Sequence, residues 1–504
     1  MRMRPADSPG PLFKVGAFSL LLAYIALISI YFSRHRMMWW DELLGWNLLT
    51  DPSWSHMLQA WKQGADGGCL LFYVLGRLVL AITGNHPVAI RLLSAVCLWA
   101  AALVWWKILS RYFSAWSASI AVLLIWLCTG DFIYHMAEAR YYGLFILAVA
   151  LPIYTAIWIE DRKPSPPVIF ALCFLANSLL ISAQMLGVLY SGMILTAFLL
   201  SQMPAQKRIT AIVASVCSWI FFLPYLSIIK YGKQNSSWVQ MPGLMDVVRY
   251  YYHGLTFSYI FNAAAYLFIL VCVVIYRKRA ADLLVQNRAR LMLLYIAGLL
   301  LLLPVIFFVI SHLYTPLFVS RYMMPYYLGV SCLLVLALWL VEQWALPAWR
   351  PAFRVAATAG IFCFLAVLNI RGLRQQPVRQ LSSIESVLAV KSPFPTVVPD
   401  EGVYLQLKRY DGVASGNIVY LIPNKREGQP ETDEMAVISN AGYAHDIYHD
   451  ADFFPLHKQF LYVDIPMYRD IYQRLVAANP AWSVRDVDII KVNGNPVHVL
   501  QFER

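Results

Sequence analysis

The sequence predicts a polytopic α-helical membrane protein of about eleven transmembrane helices, with a C-terminal soluble α/β domain. Three observations carry that prediction. Of 504 residues, 60% are hydrophobic and only 13% charged, with a mean hydropathy of +0.58; soluble globular chains of this length are less apolar. Apolar runs long enough to span a bilayer recur along residues 1–370. Beyond residue 370 the acids concentrate and the apolar runs shorten to strand length.

The first span covers about 14–33, near the roughly 20 residues that a bilayer requires. It lacks a small-residue cleavage site and many spans follow, so it reads as a retained helix and not a removed signal peptide. Ten further spans fall at about 88–109, 113–129, 140–159, 166–183, 184–202, 210–230, 257–276, 291–311, 321–343 and 355–370. With the N-terminus in the cytoplasm, inner loops receive Lys107 and Arg111, Arg162-Lys163, Lys207-Arg208, Arg277-Lys278-Arg279 with Arg288 and Arg290, and Arg350 with Arg354, as the positive-inside rule requires. Eleven spans then put the C-terminal domain outside, on the periplasmic face of an inner (plasma) membrane. The formal charge of +12 is accounted for by topology and anionic lipid, so nucleic acid is not a predicted partner. The eight cysteines stand singly in the apolar part, at no metal-ligand spacing, and read as small buried hydrophobes.

Residues 1–370 therefore form a transmembrane module whose first outer loop is 34–87, and 371–504 form the extracytoplasmic domain. Within the outer loop, Trp54, Met57, Leu58 and Trp61 follow the i, i+3, i+4, i+7 pattern of an amphipathic helix. Such a helix either lies in the interface plane or packs on the spans. The outer segment 231–256, with Gln234, Asn235, Trp238, Arg249, Tyr250-Tyr251-Tyr252 and His253, reads as a mobile substrate loop. In the C-terminal domain, the apolar runs 403–407, 418–422, 436–439 and 497–502 predict strands. A helix is predicted over 467–478, stopped by Asn479-Pro480.

The most informative residues follow the first span. Arg34-His35-Arg36 and Met37-Met38-Trp39-Trp40 lead into Asp41-Glu42. Tryptophan favours the membrane–water interface, so these two carboxylates are set at the lip of the bilayer. In the predicted topology, four segments converge on that leaflet: 39–42, the loop 64–77, His135 to Tyr142, and Ser320-Arg321-Tyr322. An ionisable side chain at the end of a span is costly unless paired. Arg140 alone reads as a snorkelling anchor. Arg140 and Arg321 together, each followed by a tyrosine (Tyr141, Tyr322) and each opening an inward-going span, read better as contacts to a shared anion.

The acidic pair after the first span, Glu138-Ala139-Arg140 with Tyr142 at an outer loop, and Arg321-Tyr322 opening a late span together resemble the GT-C glycosyltransferases. The similarity is to the family 39-like branch that contains protein O-mannosyltransferases and the lipid A aminoarabinose transferase. Arg91-Leu92-Leu93-Ser94 also resembles that branch, and the likeness covers roughly 1–370. It implies a GT-C-like fold and an enzyme of the cell envelope. Such an enzyme moves a hexosyl or pentosyl group from a polyprenyl-phosphate-linked donor to an extracytoplasmic polysaccharide, lipid or protein by inverting displacement. It further implies Asp41 as general base with Glu42 beside it. Arg140 and Arg321 would sit on the donor phosphate with Tyr141 and Tyr322 flanking, and Glu138 would contact sugar or acceptor. Arg249 and His253 are candidate loop contributors, with an ordinary interfacial role as the alternative. One departure stands out. Many relatives carry a His-Pro-Pro or Lys-Pro-Pro element in the first outer loop, where this chain has Asp66-Gly67-Gly68-Cys69-Leu70-Leu71-Phe72-Tyr73.

No cofactor is predicted. The adjacent carboxylates and His35, His135 or His253 could ligate a divalent metal, but at no standard spacing. Two other classes compete: a lipid or solute transporter or scramblase, whose buried charge would line a pathway, and a membrane-tethered receptor. Matching broken helices in paired halves, as a transporter would show, are not evident, and a receptor needs no eleven spans.

Overall fold

The computed structural model describes residues 36–229, 239–253, 259–276, 287–344, 392–410, 417–422, 434–466, 469–478 and 480–504, with isolated positions at 19, 23, 26–27, 29–31, 354, 356, 358, 360, 384–388 and 390. By internal contact the chain divides into two units. One is drawn from 68–226 and 236–376, the other from 31–67 and 377–504. The first predicted span and that at 355–370 lie largely outside the described residues.

The first unit is helical. Pro87–Tyr112, Tyr142–Arg162, Pro166–Ala183 and Tyr326–Gln343 are long and apolar enough to cross a membrane. Arg288–Leu301 and Leu303–Leu313 make a fifth candidate, bent by 47°, where Pro304 enters the first turn of the second helix. Shorter apolar helices occupy Leu70–Thr83, Ala115–Leu127 and Gly187–Leu200. The ends follow local chemistry: Pro87 and Pro166 stand in first turns, and the Ser114 side chain accepts from the Ser117 amide at 3.0 Å. Pro87–Tyr112 and Tyr142–Arg162 pack so closely that a Cβ added to Gly143 would lie 2.0 Å from the Ser94 carbonyl oxygen. Only glycine fits there.

Three sequence expectations change here. The loop 64–77 is helical from residue 70, because Leu70–Thr83 is an apolar run without a breaker. The span at 321–343 begins at Tyr326, and Ser320–Tyr322 is a 3-10 turn ahead of it; Pro325 precedes the start. In 231–256, Leu244–His253 is a helix and not a loop, whereas Gln234, Asn235 and Trp238 lie outside the described residues.

The second unit carries a six-stranded sheet in the order β3-β2-β1-β4-β6-β5. The strands are β1 Thr396–Val397, β2 Ile418–Ile422, β3 Ile447–His449, β4 Gln459–Asp464, β5 Ser483–Val492 and β6 Asn495–Glu503. The first four run parallel, and β6 pairs antiparallel with both β4 and β5. Asn493 and Gly494 both take positive φ between β5 and β6, the conformation a two-residue hairpin turn demands. Phe453, Phe460, Tyr462, Trp482 and Phe502 centre the core.

Two predicted strands are helices, Glu401–Tyr410 and Glu434–Asn440. In the first, Asp400 Oδ1 accepts from the Val403 amide at 2.8 Å, Glu401 opens the helix and Lys408 and Arg409 close it. Cap and dipole thus outweigh the alternating apolar pattern. The predicted helix at 467–478 is present as Arg469–Ala478.

The N-terminal part of this unit holds Trp40–Thr50 and Trp54–Lys62. The second is the amphipathic helix expected, with Met57 and Trp61 buried and Trp54 exposed. Both belong by contact with the C-terminal domain. The Met38 amide donates to the Tyr410 hydroxyl at 3.1 Å, and Gln406 Nε2 donates to the Met38 carbonyl oxygen at 2.9 Å. The Arg409 guanidinium lies 5.2 Å from the centre of the Trp46 ring.

Candidate functional site

Asp41 and Glu42 occupy the first turn of Trp40–Thr50, with Trp39 as N-cap. Both are buried, Asp41 at 8% exposure and Glu42 at 0%. A helix N-terminus presents unpaired amides and a partial positive charge, which stabilise carboxylates. Glu42 uses this directly: its Oε2 accepts from the Trp39 amide at 3.2 Å, the reciprocal arm of a capping box. The adjacent acids therefore differ. Glu42 fixes the helix start, while Asp41 stands one residue earlier on the same turn.

The arginines lie in the helical unit, in two turns. One links Gly130–His135 to Tyr142–Arg162 and carries Glu138, Arg140 and Tyr141; the other is Ser320–Tyr322. The Arg140 guanidinium lies 5.4 Å from the centre of the Tyr141 ring, and that of Arg321 lies 5.7 Å from the Tyr322 ring. Burial pushes the Tyr141 hydroxyl well above the usual phenol range. The nearby Tyr322 adds to this, and Arg140 and Arg321 both pull against it. All four side chains thus share one electrostatic neighbourhood. Gln184 Nε2 donates to the Tyr141 hydroxyl at 3.2 Å, and the Tyr190 hydroxyl donates to the Tyr322 carbonyl oxygen.

Glu138 is fully buried, with its Oε2 2.7 Å from His135 Nδ1, and the His135 ring packs at 4.4 Å on Tyr142. Arg91 is buried in Pro87–Tyr112, and Ser94 meets Gly143 as described above. Arg249 is exposed and lies 3.5 Å from Asp246, one turn earlier. His253 ends the same helix, but its side chain falls outside the described residues. Sequence reasoning missed Gln184 and the place of Cys69, a buried free cysteine near both Tyr141 and Tyr225. Cys69 lies in the stretch 66–73, which carries no basic residue. Gln184 carried a signal: a lone amide between two apolar runs. Among the described residues, no three His, Cys, Asp or Glu side chains group to hold a metal.

Solved structures share this architecture. ArnT from Cupriavidus metallidurans in the apo state superposes with a TM-score of 0.57 at 13% identity, covering 97% of this chain and 98% of its own. The same protein bound to undecaprenyl phosphate gives 0.54 at 12% identity, covering 98% of each chain. The GT-C fold is shown. The oligosaccharyltransferase AglB from Archaeoglobus fulgidus, solved with an inhibitory peptide and a dolichol-phosphate, matches at 0.52 and 11% identity over 93% of this chain and 71% of its own. No family model matches the chain, and no curated protein matches it. Among the described residues this fold comprises four helices, or five with the bent pair, that are long and apolar enough to cross a membrane, followed in sequence by a strand-containing domain.

Proposed function

We propose that the chain is a membrane glycosyltransferase that moves a sugar from a polyprenyl-phosphate-linked donor to an extracytoplasmic acceptor. The observation that carries this reading is the grouping of Arg140, Tyr141, Arg321 and Tyr322 in a GT-C fold. Planar guanidinium groups are suited to a phosphate, which they bind through paired N–H donors. ArnT and AglB, with this fold, have been solved with polyprenyl-type phosphates.

The reaction is an inverting displacement. An acceptor nucleophile attacks the anomeric carbon as the bond from that carbon to the phosphate oxygen breaks. The acceptor proton passes to the Asp41 carboxylate, and the electron pair leaves with the polyprenyl phosphate. Arg140 and Arg321 stabilise the charge growing on the leaving group. The orientation we assign places the N-terminus in the cytoplasm and the C-terminal domain in the periplasm.

The test compares envelope glycans, by mass spectrometry, in cells with and without the protein and in cells carrying Asp41→Asn. A sugar modification present only with the wild-type chain is the expected result. Identical glycans in all three would reject the reading.

A further inference from the structure

The segment entering the acidic helix has little regular structure of its own. Residues 37–39 are neither helix nor strand, yet Met37 and Met38 are buried. Buried backbone groups need partners, and for Met38 these come from a single helix 368 and 372 residues away in sequence. Gln406 and Tyr410 are four apart on Glu401–Tyr410 and so share one face. One donates to the Met38 carbonyl, the other accepts from its amide, and Gln406 is buried at 1% exposure. Further along, Arg409 covers Trp46. At the far end Asp51, the C-cap, accepts from the Tyr443 hydroxyl. The Asp41 helix is therefore held at its start, middle and end by side chains of the C-terminal domain.

We propose that Gln406 and Tyr410 are positioning residues for Asp41, and that the C-terminal domain serves turnover by clamping Met38. This rests on the glycosyltransferase reading above. A helix's first turn frays unless tied, and a general base works only within hydrogen-bond reach of its proton. Fixing the residue ahead of the N-cap fixes where the second helical residue, Asp41, presents its carboxylate.

The test uses the full chain in lipid nanodiscs with Tyr410→Phe, Gln406→Leu and the double variant. Hydrogen exchange should quicken in residues 37–44 and stay unchanged across 142–162. Turnover should fall about tenfold, while the KM for the polyprenyl-phosphate donor stays within about twofold, because donor contacts lie on other side chains. In an Asp41→Asn background the same changes should cost nothing more, since a group that acts through Asp41 cannot act without it. Tyr410→Phe removes a single oxygen and remains decisive should the double variant misfold. Unchanged exchange at 37–44, a loss confined to KM, or a full additional loss on top of Asp41→Asn would each overturn the proposal. Wild-type turnover by Asp41→Asn itself would instead reject the assignment of the base and the positioning with it; faster exchange would then mark the clamp as a docking contact alone.

Discussion

His135 Nδ1 lies 2.7 Å from Glu138 Oε2, and both side chains are buried. Removing one partner of such a buried pair is destabilising, whereas replacing both with apolar groups can be neutral. Glu138→Leu and His135→Phe should each lower the melting temperature in detergent, and the double variant should recover most of the loss. Additive losses would show that the two side chains do not depend on each other.

Arg140→Ala and Arg321→Ala should each reduce transfer strongly. Losing a charge-assisted contact to a buried anion costs about 2–5 kcal/mol, roughly 30-fold or more in rate if felt in the transition state. Lysine should rescue poorly, because it cannot offer two parallel donors. Steady-state transfer assays on purified protein settle this. Near wild-type rates in both alanine variants would reassign the arginines as interface anchors.

Asp41→Asn keeps size and removes the basic oxygen. General base catalysis supplies about 10²–10⁴-fold, so turnover should drop at least about 100-fold with donor binding little changed. Glu42→Gln should be milder, since glutamine at the third helical position still accepts from the N-cap amide. A normal rate for Asp41→Asn beside a dead Glu42→Gln or Glu138→Gln would move the base to another carboxylate.

Asp51 supplies a pH dependence. Burial alone would raise its carboxyl, but the Tyr443 hydroxyl, the Ser53 amide and His56 outweigh that and hold it below its usual value. A carboxyl depressed in the folded state contributes stability in full above its unfolded value, about 3.9, and loses it as pH falls through the folded one. Tryptophan-monitored unfolding should therefore show this contribution constant from pH 7 to about 5 and declining below about 4. Asp51→Asn should flatten the acid limb; identical limbs in both proteins would remove Asp51 as its cause.

Local patterns in the sequence reached the helical module and both acidic and arginine motifs. Asp41-Glu42, Arg140-Tyr141 and Arg321-Tyr322 were visible because each sits at the edge of an apolar run, where a charge is conspicuous. The strand predicted at 403–407 failed because every residue from Gly402 to Leu407 is buried, leaving the alternation of Val403, Leu405 and Leu407 uninformative; Asp400-Glu401 carried the better signal. Asn493-Gly494 is an equally legible hairpin mark. The Met38 contacts were beyond reach, since no local rule links a backbone amide to a tyrosine 372 residues away.

That separation also bears on how the protein is made. Trp40–Thr50 leaves the ribosome early, while Gln406, Tyr410 and Tyr443, which hold it, emerge hundreds of residues later. At about 5–20 residues per second, the interval is on the order of 20–80 s. During that time the intervening hydrophobic segments must enter the bilayer while the acidic helix waits without its final neighbours. Nascent chains halted before residue 401 should therefore expose residues 37–50 to protease, and release of the finished polypeptide should close that window.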